Sequence, residues 1–157
     1  AYDAEASLTL AQTLDPLFTS STGRFAIAFP DEPEISRETD EIGGDPIEIH
    51  EFLSGSSENS YMVAYADLPA AFLSQGTEDV LNQVRDLVME SLDWEGLTEL
   101  EMETSMDGHP GRSYRYSGDD FTLDMRLYLV GERMYLLTGI DVDETAVNQF
   151  MGSFELL

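Results

Sequence analysis

A chain of 157 residues with 32 Asp and Glu against seven basic residues, all of them Arg, has a formal net charge of −25; that charge excludes nucleic acid and anionic lipid as partners and favours cations and basic protein surfaces. The hydrophobic content of 42% excludes a disordered acidic tail, and the length suits one domain spanning 1–157. No run nears the ~20 consecutive apolar residues of a membrane-spanning helix, and the lack of Cys and Lys removes disulfides, thiolate and Schiff-base chemistry and Cys-type zinc sites.

Taken in chain order, Ser7 to Phe18 fits either a short helix or an extended arm, and residues 1–20 can be read as a flexible arm. The opening Ala1-Tyr2-Asp3-Ala4 fits, among other origins, removal of a targeting segment. Arg24 to Phe29 alternates large and small residues and stops at Pro30, which predicts a strand with Phe25, Ile27 and Phe29 on its core face. Asp31 to Asp45 holds seven acids with Pro33, Gly43 and Gly44 and reads as a solvated acidic loop or flap. Ile47–Leu53 and Tyr61–Tyr65, separated by a polar turn, predict an antiparallel hairpin.

Val80, Leu81, Val84, Leu87, Val88 and Leu92 recur at three- and four-residue spacing, which predicts a helix from Thr77 to Trp94 with its apolar stripe on a sheet. A meander follows: a strand with Leu100, Met102, Thr104 and Met106 on a buried face, a turn at 107–111, the strand 112–116, and a turn at 117–120. Phe121 to Val130 has the longest period-two alternation and reads as a central strand. Gly131-Glu132 is a two-residue hairpin loop, and Arg133 to Gly139 runs back. A last helix opens at Asp141–Glu144 and a short edge strand closes the chain. The class is therefore α+β, an antiparallel meander with helices packed on it.

No catalytic constellation stands out. His50 and His109 are the two histidines and lack metal-ligand spacing; a nucleophile elbow, a phosphate-binding loop and a dinucleotide fingerprint are absent. Calcium is the cofactor to weigh, with Asp141, Asp143 and Glu144 as oxygen ligands, but the spacing of an EF-hand loop is missing and acids at a helix start serve its dipole as well. The most distinctive cluster is Arg112, Arg115, Arg126 and Arg133 interleaved with Tyr114 and Tyr128, a candidate protein-docking surface. Its competing explanation is cross-strand pairing with acids such as Asp124. Arg-only basicity in so acidic a chain also matches proteins adapted to high salt.

Thr22-Gly23-Arg24-Phe25-Ala26-Ile27-Ala28-Phe29-Pro30, Gly108-His109-Pro110-Gly111-Arg112, the segment 130–137 and Phe150-Met151-Gly152-Ser153-Phe154 together resemble the PsbP-like family, relatives of an extrinsic photosystem II subunit. The resemblance implies an α-β-α sandwich, export to a periplasm or thylakoid lumen, and action by binding a protein partner rather than by catalysis. Better-known members bind through lysine-bearing surfaces, which this chain lacks, so no functional residue carries over. The expectation is a monomeric, non-enzymatic binding or accessory protein, for instance an assembly factor. Its alternatives are an acidic, cytoplasmic chaperone for a basic client and a low-affinity calcium-binding domain.

Overall fold

Residues 17–55, 59–92, 98–118 and 121–157 are described by the computed structural model. In chain order they form the short strands β1 (Phe18–Ser20) and β2 (Phe25–Ile27), the long strands β3 (Glu34–Ile42), β4 (Asp45–Gly55) and β5 (Ser60–Asp67), and the helices α1 (Ala70–Leu73) and α2 (Thr77–Leu92). Strands β6 (Thr98–Met106), β7 (His109–Ser117), β8 (Thr122–Val130) and β9 (Arg133–Ile140) follow, then α3 (Glu144–Gly152) and β10 (Glu155–Leu156). The class is α+β, with a seven-stranded antiparallel sheet, a small three-stranded sheet, and α2 packed on the large sheet.

The chain divides into two units, one of residues 33–143 and one made of the segments up to Glu32 and from Glu144 to Leu157. In the larger unit the strand order is β3-β4-β5-β9-β8-β7-β6. It consists of two antiparallel meanders joined where β5 pairs with β9, Ala64 opposite Leu136. The tight turns use residues that tolerate positive φ: Gly43 and Gly44 (61° and 87°) between β3 and β4, Asp107 and Gly108 (51° and 83°) between β6 and β7. The predicted 47–53/61–65 hairpin and the Gly131-Glu132 loop are both present.

The predicted helix forms as α2, and the last two residues assigned to it lie outside the described set. Val80, Leu81 and Val84 bury themselves in one cluster with Tyr114, Tyr116, Leu123, Met125 and Leu127 from β7 and β8. Arg112 fastens the helix to the sheet, its Nη1 donating to Asn82 Oδ1 at 2.9 Å and its Nη2 to Glu78 Oε1 at 3.4 Å. Strand β8 is buried on both sides, with Leu123, Met125 and Leu127 toward the helix and Asp124 and Tyr128 on the opposite face. That burial matches its interior place beside β9, the middle strand of the sheet.

The acidic loop expected at 31–45 is corrected by the structure. Glu34–Ile42 is a strand in continuous register with β4, from Glu34 opposite Leu53 to Ile42 opposite Asp45. The expectation failed because β3 lies at the edge of the sheet and Ile42 is its single buried residue. A strand that buries neither face has no hydrophobic alternation to show; its backbone ladder to β4 holds it.

In the smaller unit β2 is the middle strand, flanked by β1 and β10. Phe25, Ala26 and Ile27 are all buried, and rings of Phe18, Phe25, Phe29, Phe150 and Phe154 meet at centroid separations of 5.5–6.3 Å. Helix α3 contributes Phe150 to these contacts and buries Val147 and Met151 as well. The C-terminal strand takes the edge position expected of it. Most of the segment read as a helix or arm, 1–16, lies outside the described residues, as do the side chains of β6 through Glu103.

Candidate binding groove

Side chains alternate across a strand, and register partners share a face. By that rule the six candidate docking residues separate. Arg112 and Tyr114 lie on the face that carries α2, where the guanidinium of Arg85 stands 5.8 Å from the Tyr114 ring. Arg115, Arg126, Arg133 and Tyr128 lie on the opposite face. Tyr114 and Tyr128 are each only 2% exposed, so neither offers its ring to a partner.

Three of the four arginines have partners from the protein itself. Arg112 holds α2 as described; Arg115 Nη1 donates to Asp124 Oδ1, its register partner, at 3.2 Å. Arg133 forks onto its own register partner Asp67, Nε to Oδ1 at 2.7 Å and Nη2 to Oδ2 at 3.0 Å. Those bonds, above all, push its guanidinium pKa up, beyond what burial takes away. Arg126 Nε is buried and has no hydrogen-bond partner among the described residues.

On that same face one row of register partners crosses six strands: Arg37, His50, Tyr65, Tyr135, Tyr128 and Gly111. The His50 ring stacks on Tyr65 at 4.6 Å and 7°, and its Nε2 lies 2.9 Å from Glu48 Oε1. At the far end Gly111 makes room for Tyr128, since a Cβ there would meet the ring at 2.6 Å and the Leu127 carbonyl at 2.5 Å. His50 is thereby a member of a packed ladder.

The calcium candidates do other work. Asp141, at φ 56°, accepts the Thr122 N–H on Oδ1 at 2.9 Å and donates its own N–H to the Thr122 carbonyl at 2.9 Å. Its carbonyl accepts from Asn59 Nδ2. Asp143 lies close enough to Tyr61 to add to the rise that burial gives that phenol's pKa, and Glu144 stands in the first turn of α3, where the helix dipole favours an acid. Among the described residues no three His, Asp or Glu side chains come together to hold a metal ion.

The α2-bearing face holds an open concavity. Between Val84, Leu87 and Val88 of α2 and the strands β3, β4, β5 and β9 lies a groove of about 550 Å³. Alternation along β4 aims Ile47, Ile49 and Leu53 into it; Met62 and Ala64 of β5 and Leu136 and Ile140 of β9 complete an apolar floor. Leu53 and Leu87 remain 47% and 46% exposed there, as apolar surface that no described residue covers. Around this floor stand Glu38 and Asp40 from β3, Glu51 from β4 and Glu90 from α2. Among the described lining residues there is no Arg or His.

Glu51 is half-buried, whereas the other carboxylates of this rim are exposed. Burial pushes its carboxyl pKa up, the neighbouring Glu38 carboxylate pushes it further, and a hydrogen bond with the Ser36 side chain opposes them. A cation near Glu51 and Glu38 would relieve their repulsion. Apolar surface ringed by carboxylates is what the groove offers chemically. No signal for it was visible in the sequence, because Ile47, Ile49 and Leu53 read as ordinary hairpin core and Glu38–Glu41 as loop. No family model matches the chain, and no curated protein matches it.

Proposed function

We propose that this protein is a non-enzymatic binding protein whose groove holds a basic, apolar segment of a protein partner. One observation carries the reading: a groove of about 550 Å³ with an apolar floor walled by four carboxylates, Glu38, Asp40, Glu51 and Glu90, and no basic side chain among its described lining. Apolar burial contributes roughly 25 cal/mol per Å² and supplies affinity, while the carboxylates select and steer a positively charged occupant. The net charge of −25 extends that steering field over the rest of the molecule.

An exported accessory role is the extension that the PsbP-like resemblance supports. A chaperone holding a basic client would use the same groove in the cytoplasm, and cell fractionation separates the two. The groove itself is tested by fluorescence anisotropy with a labelled peptide of mixed Leu and Lys, an oligolysine and an uncharged Leu-rich peptide. The mixed peptide should bind best. Leu53→Glu or Leu87→Glu should weaken it about tenfold or more with little change in melting temperature, since both side chains are half exposed. Binding that neither substitution alters would overturn the assignment.

A further inference from the structure

The groove is bounded on one side by β3, the end strand of the sheet. Among the described residues β3 has one neighbouring strand, β4. Because Ile42 and Asp45 close a two-residue hairpin, they form a hydrogen-bonded pair, and alternation follows from there. Asp40, Glu38, Ser36 and Glu34 therefore turn their backbone groups toward β4, and Thr39, Arg37 and Ile35 turn theirs outward. The outward N–H of Glu41 is taken by the Asp40 carboxylate at 2.8 Å. The edge from Ile35 to Thr39 remains a strip of donors and acceptors with no bulge in the β3–β4 register.

We propose that the partner segment binds as an extra β-strand along β3, with Lys or Arg at alternate positions on the side facing the groove. This rests on the groove reading and places the segment along the groove's β3 border, where the alkyl stems of its basic side chains reach over the acidic rim toward the apolar floor. On the groove face an added strand would lie beside Glu34, Ser36, Glu38 and Asp40, so alternate basic side chains meet carboxylates. On the other face it would lie beside Ile35, Arg37, Thr39 and Glu41, where apolar or hydroxyl side chains suit. The same charges work against self-association: a second copy of β3 would set acids against acids. Charge thus closes this edge to the chain's own kind while leaving it open to a basic strand.

The test uses a labelled peptide as long as β3, 9 residues, with Lys at alternate positions and Thr or Val between. Its comparisons are a peptide of the same composition with the lysines contiguous, and the alternating peptide N-methylated at every second residue on its pairing edge. Measurements are made near 0.15 M salt, about where long-range attraction is largely screened. The alternating peptide should bind about tenfold or more tightly than either comparison and slow amide exchange at Ile35, Arg37 and Thr39. Thr39→Pro, which removes an outward N–H and no bond to β4, should abolish that advantage; if it unfolds the protein, the N-methylated peptide makes the same cut on the ligand. Equal binding of all three peptides that Leu87→Glu nevertheless abolishes would overturn strand addition and leave the groove reading standing. No binding of any basic peptide would overturn both.

Discussion

Arg133 lies over the ring of Tyr65, its guanidinium carbon 4.5 Å from the centroid, while both arms of its fork reach Asp67. The three side chains form one unit across β5 and β9, in which Arg133 is 12% exposed and Asp67 60%. The aromatic face and the carboxylate hold the same cation, so the cost of removing each partner differs.

Asp67→Ala should cost no more than about 1 kcal/mol, because the carboxylate is largely solvated. Arg133→Ala should cost about 1–2 kcal/mol, since it also loses the ring contact and buried stem. Urea denaturation of both variants and the double variant measures their coupling. Equal costs for the two single variants would show that the ring contact and the buried stem together contribute nothing.

Gly111→Ala should destabilise by about 2 kcal/mol or more, because the new Cβ meets backbone at 2.5 Å and the packed Tyr128 ring at 2.6 Å. Gly152→Ala is the contrast. Among the described residues nothing beyond its own helix backbone and chain neighbours lies within 4 Å of its Cβ position, at the end of α3, and a gain of up to about 1 kcal/mol is expected from helix propensity. Thermal melts of the pair should move in opposite directions.

The attachment of α2 through Arg112 predicts an asymmetry between its two partners. Asn82→Ala removes the 2.9 Å bond to a guanidinium that is itself 8% exposed and should cost about 1–2 kcal/mol. Glu78 is 83% exposed and 3.4 Å away, so Glu78→Ala should cost less than about 0.5 kcal/mol. Denaturant midpoints at constant slope read both.

Glu51 gives the groove a pH dependence. A carboxyl whose pKa is raised on folding binds its proton more tightly in the folded than in the unfolded chain. Its stabilising contribution is full in acid, and is lost as the pH rises from the unfolded to the folded pKa. Above that window the ionised group is a net cost. Glu51→Gln should therefore melt at a higher temperature than the parent near neutral pH, and the difference should vanish by about pH 4, around the ordinary carboxylate pKa. A difference that persists unchanged into acid would place its origin elsewhere than in ionisation.

Charge at the level of the whole molecule predicts a salt response. With a net −25, self-repulsion works against folding and is screened as the Debye length falls from about 30 Å at 0.01 M to about 3 Å at 1 M salt. The melting temperature should rise across that range in sodium chloride. A flat or falling curve would mean that cross-strand pairs such as Arg115–Asp124 already offset the repulsion.

Some of this architecture is legible from order and period alone. The chain's charge, its lack of Lys and Cys, the helix at Thr77 and the β8–β9 hairpin all follow from local sequence, because a half-buried helix or a buried strand must repeat its apolar residues at the period of its backbone. Only the tertiary structure decided the rest. It made β3 a strand, since an edge that buries neither face leaves no periodic trace. It parted Arg112 and Tyr114 from Arg115, Arg126, Arg133 and Tyr128, since residues an odd number apart in one strand take opposite faces and register assigns those faces between strands. It also opened the groove, whose walls run from Glu38 to Ile140: residues a hundred positions apart become neighbours through strand pairing, and no local pattern records which apolar side chains a helix will leave uncovered.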